Sequence, residues 1–259
     1  MGTRVISFLN IKGGVGKTIS TTNIGAALDK MGYSVLIIDI DPQSNATKYL
    51  SSYKENDLSS YELLKGETGI YIKATKYNAL QIVPGNIKLI MAENEIMLDT
   101  RKARETRLKK WIDSLDHEFD FILIDCPPSL NILTTNALVA STEVLVPIKI
   151  DKFALDGFEY LMSAIEETRE EFNPHLNLLG AFITMDKSTT INRDIKAELD
   201  QILGDKFLKQ TIRENVAVTK STFHETPVIY HDPKSNSAKD YIKLTEEIVN
   251  VLTRVIWKS

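Results

Sequence analysis

The feature that most constrains this chain is a buried strand that runs into a glycine-rich loop and then into a helix. Residues 5–9 are apolar but for Ser7 and read as a buried strand. Asn10-Ile11-Lys12-Gly13-Gly14-Val15-Gly16-Lys17-Thr18 is the loop, and residues 18–31 have helical spacing with Gly32 as a stop. The glycines let the backbone fold tightly and aim its N–H groups at one point. The helix N-terminus adds partial positive charge there, so the loop is suited to phosphate. Gly13, Gly14, Val15 and Gly16 then form the cradle, with Ile19 in the first helical turn behind it. Lys17 is placed to reach the β- and γ-phosphates, and the Thr18 hydroxyl to hold Mg²⁺. The common G-x-x-x-x-G-K-[ST] spacing is not met, because position 11 is Ile11; a second lysine, Lys12, stands just before the double glycine.

Further apolar runs at 34–39, 80–83, 121–125, 144–148 and 178–184 read as strands. Helical periodicity fills much of 93–115, 130–140, 153–172, 192–203 and 238–256. Near-continuous apolar strands alternating with helices predict an α/β fold, doubly wound, with a mostly parallel sheet and helices on both faces. The 259 residues fit a single domain, 1–259. Residues 51–78 are the least regular stretch and read as surface structure.

Two strands end in acid. Residues 35–39 lead into Asp39-Ile40-Asp41-Pro42-Gln43, and 121–124 lead into Asp125. Ligands of open α/β sheets bind outside the carboxyl ends of strands. A carboxylate there can orient or deprotonate an attacking water, or hold Mg²⁺ through water. An Asp-Pro turn would by itself explain residues 41–42 equally well. A hydrophobic strand ending in Asp125 has the Walker B arrangement, which anchors the hydration shell of Mg²⁺.

The net charge of -4 excludes a molecule basic all over, so any nucleic-acid contact needs a local patch. A single cysteine, Cys126, excludes an intrachain disulfide framework and suits a reducing cytoplasm. No apolar run approaches membrane-spanning length, and the N-terminus has no signal-peptide pattern. His117, His175, His224 and His231 show no metal-ligand spacing.

The string K-G-G-V-G-K-T at 12–18 resembles the deviant Walker A loop of the ParA/MinD/nitrogenase iron protein group. The run D-I-D-P-Q-S-N-A-T at 39–47 is similar to that family's D-x-D-P-Q-G-N-A-T, with Ser44 in place of glycine. Thr106-Arg107-Leu108-Lys109, Asn136-Ala137-Leu138, Val146-Pro147-Ile148, Phe153-Ala154-Leu155-Asp156-Gly157, Thr226-Pro227-Val228 and Asp232-Pro233-Lys234-Ser235 extend the likeness along nearly the whole chain. The closer likeness is to short Soj-type ParA proteins, with no room before residue 5 for a helix-turn-helix domain. The resemblance implies an ATP- and Mg²⁺-dependent hydrolase that closes as an ATP sandwich homodimer, with Lys12 reaching the partner's nucleotide. It implies that Asp41 positions the attacking water, that Asp39 supports the metal shell and that Asn215 contacts adenine. It further implies non-specific DNA binding by the dimer, a ParB-like partner that stimulates slow turnover, and a cytoplasmic, nucleoid-associated place of work.

One departure concerns DNA. The family's I-P-R-N-V-R-L stretch is Ile212-Arg213-Glu214-Asn215-Val216-Ala217-Val218 here, so two arginine positions hold Glu214 and Ala217. Lys187, Arg193, Arg213, Lys220 and Lys234 are the candidate replacements. The basic run from Arg101 to Lys110 reads as a solvated helix face. The amphipathic C-terminal helix, with only Arg254 and Lys258 near its end, reads as a packed helix and not a membrane anchor. The alternative functions are a MinD-like membrane-associated ATPase and one that positions a protein cargo. An iron-protein-like electron carrier is excluded by the lone cysteine.

Overall fold

A computed structural model describes residues 2–51, 53–54, 57–116, 119–151 and 156–256, with backbone alone at 156 and 254–256. His117, Phe153-Ala154-Leu155, the Arg254 side chain and Lys258 lie outside the described residues. The strands are β1 (Arg4–Phe8), β2 (Val35–Asp39), β3 (Lys73–Ala74), β4 (Leu80–Val83), β5 (Phe121–Asp125), β6 (Glu143–Lys149) and β7 (Asn177–Thr184). The helices are α1 (Lys17–Lys30), α2 (Asn45–Leu50), α3 (Ser60–Lys65), α4 (Leu89–Leu98), α5 (Arg107–Asp113), α6 (Ile132–Ala140), α7 (Asp156–Glu171), α8 (Thr190–Leu203), α9 (Val216–Phe223), α10 (Val228–His231) and α11 (Asn236–Ile256).

The sheet has seven strands in the order β3-β4-β2-β5-β1-β6-β7. All neighbours are parallel except the short edge pair β3·β4. Strand alternation sends side chains to two faces. Val35, Ile37, Phe121 and Leu123 pack with α1, α2, α10 and α11, while Leu36, Ile38, Ile122 and Ile124 pack with α3 to α8. The doubly wound architecture predicted from the strand–helix alternation is therefore the one observed. Gly32 ends α1 with φ 90, a left-handed turn that glycine adopts freely.

Three expectations change. Residues 93–115 are two helices, α4 and α5, with a break at Asp99. The Asp99 carboxylate accepts from the Arg101 backbone N–H at 3.0 Å, a local bond that competes with helix. Residues 51–78 are not only surface, since Tyr61, Leu63, Leu64 and Tyr71 lie in the core. α3 starts there with a capping box between Ser59 and Glu62. The basic run also contains one buried member: Arg107 donates to Leu64 O at 3.0 Å and to Asp99 at 3.1 Å.

α11 packs as expected, with Tyr241, Leu244, Ile248 and Leu252 buried. No helix among the described residues is long and apolar enough to cross a membrane.

Candidate nucleotide site

The strand order places three strand ends side by side. β5 lies between β1 and β2, with Asp125 in register with Phe8 on one side and Asp39 on the other. The glycine loop leaves β1, so Asp125 sits next to it and Asp39 one strand further away.

Gly14 and Gly16 take φ 71 and φ 88, so the loop needs glycine at both positions. A Cβ on Gly16 would come within 3.7 Å of the Thr184 side chain. Thr184, at the end of β7, ties the loop down by donating to Val15 O at 2.8 Å. Asn10 braces it from below: its Nδ2 donates to Pro147 O at 2.8 Å and its Oδ1 accepts from Lys12 N at 2.9 Å.

The two lysines are held differently. The Lys17 ammonium folds back over the loop and donates to Asn10 O at 2.9 Å and Lys12 O at 3.2 Å. Burial lowers its pKa, and the charges of Asp125 and Asp41 act against that. Lys12 is 37% exposed at its side chain and pairs with Asp151.

The acids also divide. Asp39 is fully buried, and its two oxygens accept from Asp41 N at 3.1 Å, Thr47 N at 2.9 Å and Thr47 Oγ1 at 2.7 Å. Burial pushes this carboxyl up to about 6 against those bonds. Its structural work is to shape the loop that carries Asp41. The Asp41 carboxylate accepts from Gln43 N at 2.9 Å and faces the cleft. Asp125 is raised well above the usual carboxylate value, first by burial and then by the Asp39 charge, with the Thr18 hydroxyl opposing. Its Oδ1 accepts from Thr21 Oγ1 at 3.4 Å, while its buried Oδ2 has no partner among the described residues. A buried acceptor without a donor is costly, and a hydrated cation beside Thr18 would satisfy it. The donor set fits Mg²⁺, which binds through one or two carboxylates, water and phosphate and not through a cage. Among the described residues no cluster of three or more His, Cys, Asp or Glu side chains forms such a cage.

Lys17, Thr18 and Asp41 line a cleft of ≈ 520 Å³ that runs from Gly13 to Tyr49, Thr222 and Glu225. A smaller cavity of ≈ 130 Å³ opens behind Gly16 and Ile19, walled by Met185, Ile212 and Asn215. Asn215 caps α9 by accepting from Ala217 N at 2.8 Å, so its carbonyl oxygen is engaged in structure. Cys126 is buried and burial raises its thiol, which fits an inert packing role.

The candidate DNA residues are held in different ways. Lys187 pairs with Glu214 at 3.2 Å, and Arg213 forks onto Asp240 at 2.6 and 2.8 Å. Arg193, Lys220 and Lys234 are exposed, and none of the three makes an ion pair among the described residues. Several working residues were given no role by the sequence reading: Thr21, Thr47, Asp151, Thr184, Asp186 and Asp240. Thr47 and Thr184 carried a signal, as the last residues of the 39–47 string and of a predicted strand.

A glycine loop at a strand–helix junction, a lysine folded across it and an acidic neighbouring strand end define a P-loop nucleotide-binding protein. Residues 3–178 match the family described as an AAA domain. The chain is 36% identical over 249 residues to the chromosome-partitioning ATPase Soj of Treponema pallidum, covering 95% of this chain and 97% of that one. It is 34% identical over 253 residues to the chromosome partitioning protein ParA of Caulobacter vibrioides, covering 95% and 94%. A solved structure from Mycobacterium smegmatis, described as cobyrinic acid a,c-diamide synthase with bound ATP analog and magnesium, superposes with a TM-score of 0.82 at 32% identity, covering 99% and 96%. The chain belongs to the Soj/ParA family of chromosome-partitioning ATPases.

Proposed function

We propose that this chain is an ATP-dependent dimerising switch for DNA partition. The observation that carries the reading is the division of labour between two lysines on one loop. Lys17 lies buried over the cradle of its own protomer, whereas Lys12 has a side chain 37% exposed, pairs with Asp151 and does not line the cleft.

In this reading ATP lies along the cleft. Gly13, Gly14, Val15 and Gly16 donate backbone N–H groups to its phosphates, Lys17 and Thr18 hold the β/γ end, and Ile19 and Asn215 border the base. Thr18 and Asp125 hold Mg²⁺, with Asp39 keeping the neighbouring loop in shape. Bound there, Mg²⁺ neutralises charge on the phosphates. Asp41 orients the attacking water at the cleft wall. Lys12 leaves Asp151 and reaches the nucleotide of a second copy, so each site is completed by its partner. Catalysis of this kind is positioning and charge neutralisation, and a persistent ATP state requires slow turnover without a stimulating partner. The closed dimer holds non-specific DNA, a ParB-like centromere-binding protein stimulates hydrolysis, and ADP releases the DNA. The chain works as one domain in the cytoplasm, on the nucleoid.

The test measures duplex DNA binding and dimer formation with ATP, ADP or no nucleotide, using Asp41→Ala to hold the ATP state. Dimers and DNA binding that appear only with ATP support the switch. Dimers that ignore DNA at low salt would replace it with a switch that docks on a protein or membrane surface.

A further inference from the structure

α9 has two sides. Ala217 and Ser221 are buried, and Thr222 and Glu225 beyond them line the nucleotide cleft. Val216, Thr219, Lys220 and Phe223 are exposed and share the outer side at helical spacing. Phe223 is 85% exposed, more than any other large hydrophobic residue among those described. Next to it a polar cavity of ≈ 440 Å³ opens between α2, the turn before β4 and the end of α9. Lys48, Thr75, Lys76 and His224 stand on its wall, with Glu225 as the acid.

The lysines here differ from Lys187 and Arg213. Lys48, Lys76 and Lys220 are exposed and make no ion pair among the described residues. Neutral partners anchor two of them: Lys48 Nζ donates to Gln43 O at 3.0 Å and Lys76 Nζ to Thr226 Oγ1 at 3.1 Å. Two lysines and one acid on the wall of a polar hollow, with Lys220 on the adjoining outer side of α9 and an exposed aromatic ring beside them, leave an excess of positive charge that matches a phosphate backbone with its sugar edges. A membrane-binding face needs a broad apolar strip, and one phenyl ring beside a polar hollow is not that.

We propose that duplex DNA docks on this surface, with Lys76, Lys220 and Lys48 against phosphates and Phe223 against the sugar edge or minor groove. The proposal rests on the reading that the ATP form binds DNA, and it names where. It also supplies a link to nucleotide, because the cavity and the nucleotide cleft share Lys48, Tyr49 and Glu225 as walls. A nucleotide that orders α2 and α9 orders the DNA surface with them.

The experiment follows binding of a fluorescent random-sequence duplex to the ATP-trapped dimer over a range of salt. Lys76→Ala with Lys220→Ala should weaken binding about tenfold or more and lower the log–log salt slope by about 2 for each protomer that contacts the duplex, since each lysine neutralises one phosphate. Phe223→Ala should weaken binding with the slope unchanged, as it removes no charge. Lys187→Ala should bind as the unmodified chain does. ATP-dependent dimer formation, measured on the same samples, should be intact in all of them. An unchanged affinity and slope in the double variant overturns the assignment, as does a loss that follows Lys187→Ala instead. If the unmodified ATP dimer binds no DNA but floats with phosphatidylglycerol vesicles, the ligand is a membrane and the proposal is overturned. If it binds neither, the DNA-partition reading itself fails along with the surface.

Discussion

Lys12 and Lys17 are five residues apart and differ in every physical respect that matters. Lys17 is fixed by two carbonyls of its own loop, a geometry that accepts a phosphate anion when the carbonyls are displaced. Lys12 is held by Asp151, a partner in the same chain. An exposed ion pair of this kind is weak, so it can be exchanged for a phosphate across an interface. We expect Asp151→Asn to free Lys12 and raise the dimer fraction at a given ATP concentration, measured by light scattering. An unchanged or smaller dimer fraction would show that the Asp151 pair does not restrain Lys12. The residues of the loop were legible because phosphate chemistry there is local in sequence. Asp151 and Thr184 were not, since their partners lie more than a hundred positions away.

At the scale of elements, the segment between β7 and α9 controls the edge of the smaller cavity. Asp186 holds it through Thr211 Oγ1 at 2.8 Å, Asn192 Nδ2 at 3.3 Å and the Lys196 ammonium. Its backbone bonds Ile212 and Glu214 at 2.9 and 3.1 Å. Arg213 and Asp240 clamp the same segment to α11. Burial pulls the Asp186 carboxyl up, but its bonds to Lys196, Thr211 and Asn192 outweigh that and hold it below the ordinary 3.8. A depressed carboxyl contributes stability above its unfolded value, and that stability is lost as pH falls through the folded value. Asp186→Asn should therefore cost about 1–3 kcal/mol at neutral pH, with the difference from the unmodified chain shrinking below pH 3.8. It should also weaken ATP binding by loosening the Asn215 wall. Denaturant unfolding across pH, with a nucleotide titration alongside, checks both. A cost that stays constant down to acid pH would contradict the charge argument.

Element legibility followed burial. The predicted strand 121–125 is β5, because a strand buried on both faces is a nearly continuous apolar run, and 80–83 is β4, apolar but for the half-buried Gln81. α2 and α9 were missed because they are short and carry threonine, serine and lysine where a periodic pattern would need apolar residues. α3 could have been found, since Ser59-Ser60-Tyr61-Glu62 has the capping-box spacing.

For the whole molecule, a net charge of -4 and a DNA-binding role are compatible only if charge is segregated. Lys48 and Asp41 both line the nucleotide cleft, with Lys76 and Lys220 outside it. In the proposed switch, binding nucleotide, joining a second copy and presenting a basic surface become one event. The doubly wound sheet makes this economical, since the loop, the acids and α9 all gather at the carboxyl ends of the strands.

The central claim is that Lys12 serves the partner's nucleotide, and mixing two inactive variants tests it most directly. Lys12→Ala keeps Asp41 and lacks the lysine, while Asp41→Ala keeps the lysine and lacks the acid. If Lys12 acts across the dimer, mixed dimers contain one intact site and ATP turnover returns on mixing. If Lys12 acts within its own protomer, no site in the mixture is complete, turnover stays absent, and the account is wrong.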